Sequence, residues 1–203
     1  MKLYYFPIAP NPTRVLVYMK EKGIEGIELV PVDIRNGEQR SPEHLARNPD
    51  ASLPVLELDD GQFLTESITI IEYLEELFPE PAMIGTDSLS RARVRSLERK
   101  VENQLLSPVG RYIHNTNSPV GLPPNPAIAE VEQAKIPLAM ARFDALLGDQ
   151  PFVMGQQPTI VDCTLFATLQ FGQFFGLEIP AEYANLRRWY DAFSQRPSTQ
   201  ISL

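Results

Sequence analysis

The chain of 203 residues has a single cysteine, Cys163, and two histidines, His44 and His114. One thiol excludes an internal disulfide, a CxxC redox pair and a thiolate zinc site, and two histidines leave little for a metal, so no metal is expected. No apolar run reaches the ~18 residues a membrane span needs, and the opening Met1-Lys2-Leu3-Tyr4-Tyr5 lacks a signal peptide's apolar stretch and small-residue cleavage site. A cytoplasmic protein with no membrane partner is expected. Positive charge is also short: 18 Lys and Arg stand against 26 Asp and Glu, a formal charge of −8. That balance opposes polyphosphate and excludes nucleic acid as the expected partner. There is no internal repeat. Hydrophobic and charged fractions of 43% and 22% are those of a globular protein and exclude disorder and coiled-coil rods. At roughly 150 residues per domain, the length fits one large unit or two small ones packed together.

The charge is unevenly spread. Residues 1–80 carry 7 basic and 15 acidic side chains, whereas residues 81–203 carry 11 of each, so the chain has two electrostatically distinct parts. The patterning divides at the same place. Residues 2–6 form a short β-prone run, stopped by Pro7, Pro10, Asn11 and Pro12, and residues 13–22 resume as a helix with Val15, Leu16, Tyr18 and Met19 on one face and Gly23 at its end. Residues 27–32 read as a second strand. Ser41-Pro42-Glu43 reads as an N-cap followed by proline at the first helical position, starting a helix to Arg47. Apolar residues 55–58 and 62–64 flank Asp59-Asp60-Gly61, which predicts an antiparallel hairpin whose Asp-Gly pair takes positive φ at both positions. A helix over residues 66–78 follows, ended by Pro79 and Pro81.

Beyond this point no strand is predicted. Leu89, Val94, Leu97, Val101 and Leu105 follow a buried helical stripe, and Ile128, Val131, Leu138, Leu146 and Leu147 mark a second, with a kink at Pro137. Residues 118–126 hold four prolines and a glycine and form a loop of the kind that is often functional. Thr159-Ile160-Val161-Asp162 has capping-box spacing and opens a helix to Phe174. The last helix spans residues 184–194, with Leu186, Trp189, Tyr190 and Phe193. The expected fold is α/β plus all-α: βαβαββα followed by a helical unit.

Three motifs in register carry a family resemblance. Ser52-Leu53-Pro54-Val55-Leu56, Glu66-Ser67 and Gly155-Gln156-Gln157-Pro158-Thr159-Ile160-Val161-Asp162 follow one another at spacings that resemble the cytosolic glutathione transferases across essentially the whole chain. The resemblance implies a thioredoxin-like glutathione-binding domain over residues 1–79, a linker over 80–88 and a helical domain over 89–203. It also implies a cis bond before Pro54.

Glutathione presents two carboxylates, an ammonium and a thiol, and the resemblance suggests a residue for each. Ser67, in the first turn of a helix, faces the γ-glutamyl carboxylate with free N–H groups and the positive end of the macrodipole. Glu66 accepts from the adjacent ammonium. Leu53, turned outward by the cis bond to Pro54, pairs its backbone with the tripeptide as an added strand would. Gln39 and Arg40 lie near the glycine carboxylate. A free thiol titrates near pH 8.5, and lowering that by about two units takes roughly 2.7 kcal/mol of thiolate stabilisation. Where serine- and cysteine-type members carry the activating residue, this chain has Ala9, whose methyl donates nothing. Three substitutes stand open: the amide of Asn11, helped by the helix dipole and Arg14; the phenol of Tyr5; and His114, positioning a water or acting as base toward it. The electrophile pocket is expected between Ile8, Pro10, Arg111, Tyr112 and the proline-rich loop, and Phe166, Phe171, Phe174 and Phe175 are expected in the core. Cys163 reads as a buried small hydrophobe.

Family dimers pair the two helices around the linker. Arg91, Arg95 and Arg99 on one and Glu72, Glu75 and Glu76 on the other suggest a complementary homodimer. The expected activity is conjugation of the glutathione thiolate to small hydrophobic electrophiles, including displacement of halide or cleavage of an ether. The other reading is a catalytically silent glutathione-binding or protein-interaction module, which Ala9 favours and the intact Glu66-Ser67 and Leu53-Pro54 oppose.

Overall fold

The computed structural model describes residues 1–201. Its first half is a four-stranded sheet ordered β2-β1-β3-β4. Strand β1 (Lys2–Tyr5) lies inside, parallel to β2 (Glu28–Pro31) and antiparallel to β3 (Val55–Glu57), which in turn pairs with β4 (Phe63–Leu64). Leu3 sits opposite Leu29 on one side and Leu56 on the other. A parallel neighbour requires a crossover, and α1 (Pro10–Lys22) supplies it. This helix starts three residues earlier than the sequence pattern suggested. Pro10 and Pro12 sit in its first turn, where a missing N–H leaves no intrahelical bond unmade.

Helix α2 (Pro42–Arg47) has the predicted bounds, with Ser41 Oγ accepting from the His44 N–H at 3.2 Å. The hairpin is antiparallel as expected, but its turn differs. Gly61 alone takes a positive φ, 84°, while its N–H donates to the Leu58 carbonyl. The loop is therefore a three-residue turn closed by a left-handed glycine, and Asp60 keeps an ordinary conformation.

Helix α3 (Ser67–Leu77) leads into the second half. There α4 (Ser88–Val101), a π-helical turn over Glu102–Leu106 and α5 (Ser107–Thr116) make one rod, because the junction residues keep right-handed helical dihedrals. Val94, Val101 and Leu105 are buried in it as predicted, but Leu89 lies outside at 57% exposure. Helix α6 (Pro126–Leu147) continues through Pro137, and of the predicted stripe only Leu147 is buried, while Ile128 and Leu146 are exposed. Ala129, Ile136, Met140 and Phe143 face inward, and Val131 and Leu138 face outward at 56% and 73% exposure. Helices α7 (Ile160–Phe174) and α8 (Ala184–Ser194) complete the bundle at the predicted bounds.

The two halves share one hydrophobic core, which joins Leu3, Tyr18, Ile70 and Leu74 to Val101, Val161, Leu165 and Phe193. Two carboxylates, the buried Asp162 and the partly buried Glu75, stitch it. Asp162 accepts from the N–H groups of Val153 and Thr159, both at 2.9 Å, and from Trp189 Nε1 at 3.2 Å, joining the α7 cap to α8. Burial pushes its carboxyl up to about 6 against those hydrogen bonds. Glu75 on α3 accepts from Lys22 Nζ, Tyr18 Oη and the N–H groups of Met83 and Ile84, tying the inter-half segment to α1. Burial works to raise the Glu75 pKa, but these donors outweigh it and hold the carboxyl below its usual value.

The charges expected to meet across a dimer are largely used within the chain. Glu75 is committed as described, Arg95 Nε pairs with Glu72 Oε1 at 2.6 Å, Arg91 donates to the Gly85 carbonyl and Arg99 pairs with Glu102.

Candidate active site

The site lies where the β1–α1 loop and the N-terminus of α3 meet the second half. At the start of α1, Ala9 occupies the N-cap position and makes no side-chain cap bond. The first three helical residues are Pro10, Asn11 and Pro12, and Thr13 N–H already returns to the Ala9 carbonyl at 3.0 Å. Two prolines thus remove two of the four free donors at this helix end. The N–H groups of Ala9 and Asn11 are the two left there to meet an anion, neither hydrogen-bonded among the described residues.

Asn11 is also held from its side chain. Its Oδ1 accepts from Arg14 Nη2 at 2.8 Å, and the same guanidinium donates through Nε to Ser67 Oγ at 2.8 Å. The remaining nitrogen, Nη1, meets Glu98 at 3.1 Å and Glu102 at 2.8 Å. Arg14 and Glu98 are almost fully buried, and Thr164 donates to Glu98 from α7. Burial pushes Glu98 up against the attraction of Arg14. Glu102 is less buried; there the attraction of Arg14 and Arg99 outweighs burial and holds the carboxyl low. The π-helical turn begins at Glu102. Two residues singled out from the sequence, Asn11 and Ser67, are therefore joined through one arginine whose counter-charges come from the other half of the molecule.

Because Ser67 Oγ accepts from Arg14, its own proton is left to donate. Ser67 is the first residue of α3 and is buried, so its hydroxyl and the helix N-terminus form a donor set suited to a carboxylate. Glu66 precedes it at φ 65°, an uncommon backbone for a non-glycine residue. Its exposed carboxylate has no partner among the described residues. The Leu53–Pro54 bond is cis, and neither the N–H nor the C=O of Leu53 is hydrogen-bonded among the described residues. Gln39 is buried in the 3-10 turn Glu38–Arg40 with Oε1 unpartnered, while Arg40 is exposed.

An apolar cavity of ≈140 Å³ adjoins the loop, lined by Phe6, Ile8, Ala9, Pro10, His114 and Phe171 among others. His114 projects from α5, half-buried, with Nδ1 3.1 Å from Ser118 Oγ of the proline-rich loop. Burial lowers its pKa, favouring neutral imidazole. Of the residues proposed from sequence for the electrophile pocket, Ile8 and Pro10 line this cavity and Arg111 and Tyr112 do not. Arg111 turns toward Glu132 of α6 at 3.4 Å, and Tyr112 packs against the core. Tyr5 also packs against the core and is absent from the cavity wall. The phenylalanines divide: Phe166 and Phe171 are core at 2% and 5% exposure, Phe171 also facing the cavity, whereas Phe174 is exposed and, with the partly buried Phe175, forms a wall of it. Sequence reasoning missed Glu98, Glu102 and Ser118. Glu98 and Glu102 act on Arg14, which the fold brings close from 84 and 88 positions away, whereas Ser118 of the proline-rich loop lies four residues from His114.

Cys163 is fully buried, and burial pushes its thiol above the usual value, which opposes its ionisation. Among the described residues no group of three or more His, Cys, Asp or Glu could hold a metal ion, and no helix is long and apolar enough to cross a membrane.

A thioredoxin-like α/β half set against a helical half, with an unpaired backbone edge at Leu53 and an apolar cavity beside the β1–α1 loop, defines a glutathione-dependent enzyme architecture. The profile of the glutathione S-transferase N-terminal domain matches residues 3–82, and that of the C-terminal domain matches residues 111–197. The chain is 33% identical to Glutathione S-transferase 2 of Saccharomyces cerevisiae, covering 98% of this chain and 88% of that one. The crystal structure of Gtt2 from Saccharomyces cerevisiae superposes with a TM-score of 0.91 at 33% identity, covering 98% and 99% of the two chains. A glutathione S-transferase domain-containing protein of Marinobacter aquaeolei VT8 superposes with the same score and identity over 98% and 100%. Maleylacetoacetate isomerase of Pseudomonas aeruginosa is 30% identical, with 98% and 93% covered. The chain belongs to the cytosolic glutathione S-transferase superfamily and is a glutathione transferase.

Proposed function

We propose that this transferase joins the thiolate of glutathione to small hydrophobic electrophiles. The observation that carries this reading is the Arg14–Ser67 bond, which fixes a hydroxyl as donor at a helix N-terminus beside the unpaired Glu66. In this assignment Ser67 receives the γ-glutamyl carboxylate, Glu66 the ammonium, the Leu53 backbone beside Pro54 the peptide, and Gln39 the glycine carboxylate, with Arg40 at its edge. Residues 1–79 then hold glutathione, 80–88 link, and 89–203 supply the electrophile wall.

The thiol would lie at Ala9, where no side chain can ionise it. The Asn11 N–H stabilises sulfur through the helix dipole. Neutral His114, paired with Ser118, takes the thiol proton through an intervening water and becomes imidazolium. The thiolate then attacks an electrophile in the apolar cavity, where exclusion of water strengthens both interactions. A cytoplasmic homodimer is part of the proposal. The outward apolar side chains of α6, with Val131 and Leu138 one heptad apart, support an association of subunits.

Calorimetry with glutathione and a chlorodinitrobenzene turnover assay test this together. Binding with turnover is expected. Binding without turnover would favour the silent binding module, and absence of binding would contradict the whole assignment.

A further inference from the structure

A second cavity, of ≈660 Å³, is lined by Gln170, Gln173, Tyr190, Ser194, Thr199 and Gln200, over a floor that includes Phe166. Ile8 and Phe174 line both this cavity and the apolar one beside His114, so the two adjoin across those side chains. Ile8 is held at φ 74°, a region β-branched residues rarely enter, and it forms part of both walls.

The two cavities differ in chemistry. The small one is walled largely by phenylalanine, isoleucine and proline. The large one carries hydrogen-bonding side chains, and no charged side chain lines it among the described residues. Ser194, Thr199 and Gln200 spend donors on the backbone carbonyls of residues 190, 194 and 196. The side-chain amides of Gln170 and Gln173, one turn apart on α7, make no hydrogen bond among the described residues. Each amide offers two donors and an acceptor.

We infer that the large cavity is a second subsite of the transferase, which takes a neutral hydrogen-bonding tail of an elongated electrophile whose apolar reactive end sits beside His114. The inference rests on the glutathione-conjugating reading above and adds its substrate class. A carbonyl, hydroxyl or amide on the tail meets Gln170 and Gln173. An ionised tail finds no counter-charge among the lining residues and is disfavoured.

Three glutathione S-conjugates test it by calorimetry: S-benzyl, a benzyl conjugate extended by a neutral amide chain, and one extended by an alkyl chain of equal length. In the native protein the amide-tailed conjugate is expected to bind about tenfold tighter than the alkyl-tailed one, as two net hydrogen bonds predict. In Gln170→Leu/Gln173→Leu that ratio is expected to fall to about one. A ratio near one in the native protein, or one that survives the double substitution, overturns the inference while S-benzyl binding leaves the parent reading standing. If glutathione and S-benzyl glutathione both fail to bind, the parent reading falls, and this one with it. Circular dichroism of the double variant separates loss of the subsite from loss of the fold.

Discussion

Arg14 and Ser67, 53 positions apart in sequence, meet through a buried 2.8 Å hydrogen bond in which the arginine donates and the serine accepts. Its direction matters more than its length. A hydroxyl that accepts internally must donate elsewhere, so the fold prepares the α3 N-terminus for an anion before any ligand arrives. The same guanidinium reaches Glu98 and Glu102, which places the geometry of the first half under the control of a helix in the second.

Arg14→Met removes the shared counter-charge and leaves Glu98 buried alone. A destabilisation of about 3–5 kcal/mol is expected, since an unpaired buried charge is far more costly than the pair. Adding Glu98→Gln in that background should recover part of the loss. Urea unfolding of the single and double variants checks this, and equal stability of the two would contradict it.

Glu75→Gln weakens four hydrogen bonds that tie Lys22, Tyr18 and the Met83–Ile84 backbone together. A loss of about 2–3 kcal/mol near neutral pH is expected. The folded-state pKa of Glu75 lies below the usual 4.5, so its contribution is present above that pH and fades as pH falls through the lowered value. The native and variant stabilities should therefore converge in acid. A gap that stays constant with pH would mean that the carboxylate charge is not what holds the segment.

Asp162→Ala strands the donors of Val153, Thr159 and Trp189 in the core. A loss of about 3–5 kcal/mol is expected by the cost of unsatisfied buried groups. Thr159→Ala, which removes only one side of the cap, should cost about 1 kcal/mol. Thermal unfolding of both variants measures the difference, and a Thr159 effect as large as that of Asp162 would argue against this account of the bundle.

His114 is expected to act as neutral imidazole, and burial lowers its pKa from 6.5. Its proton-accepting form therefore persists below that pH. The acid limb of kcat/KM with chlorodinitrobenzene should lie below 6.5 and should be lost in His114→Asn, with turnover reduced by about 10²-fold. Ser118→Ala should give a smaller loss in the same direction. An unchanged pH profile in His114→Asn would remove the histidine from the mechanism.

Much of this architecture is legible in local chemistry. Ser41-Pro42 and the Thr159/Asp162 box announce their helices because capping is decided within one turn. The start of α1 misleads because proline, read as a breaker, is acceptable at the first helical positions. Most of the α6 stripe is misread because the inward face mixes small and polar residues, Ala129, Glu132 and Ala139, with Ile136, Met140, Phe143 and Leu147, while Ile128, Val131, Leu138 and Leu146 point outward. An apolar stripe alone does not say whether the core or another surface will cover it. Glu66, Ser67, Leu53 and Pro54 stand out through their order along the chain. Glu98 and Glu102, and the reach of Arg14 to Ser67, do not, because these contacts join partners that folding brings together from 53 to 88 positions away. The cavity wall of Phe174 and Phe175 is equally hidden, since an aromatic run reads as core whichever way it faces.

Calorimetric titration of glutathione into the native chain and Ser67→Ala tests the central assignment most directly. The account predicts micromolar to millimolar binding to the native chain, weakened at least tenfold by loss of the hydroxyl while unfolding midpoints stay close. Equal affinity in the two proteins would contradict it.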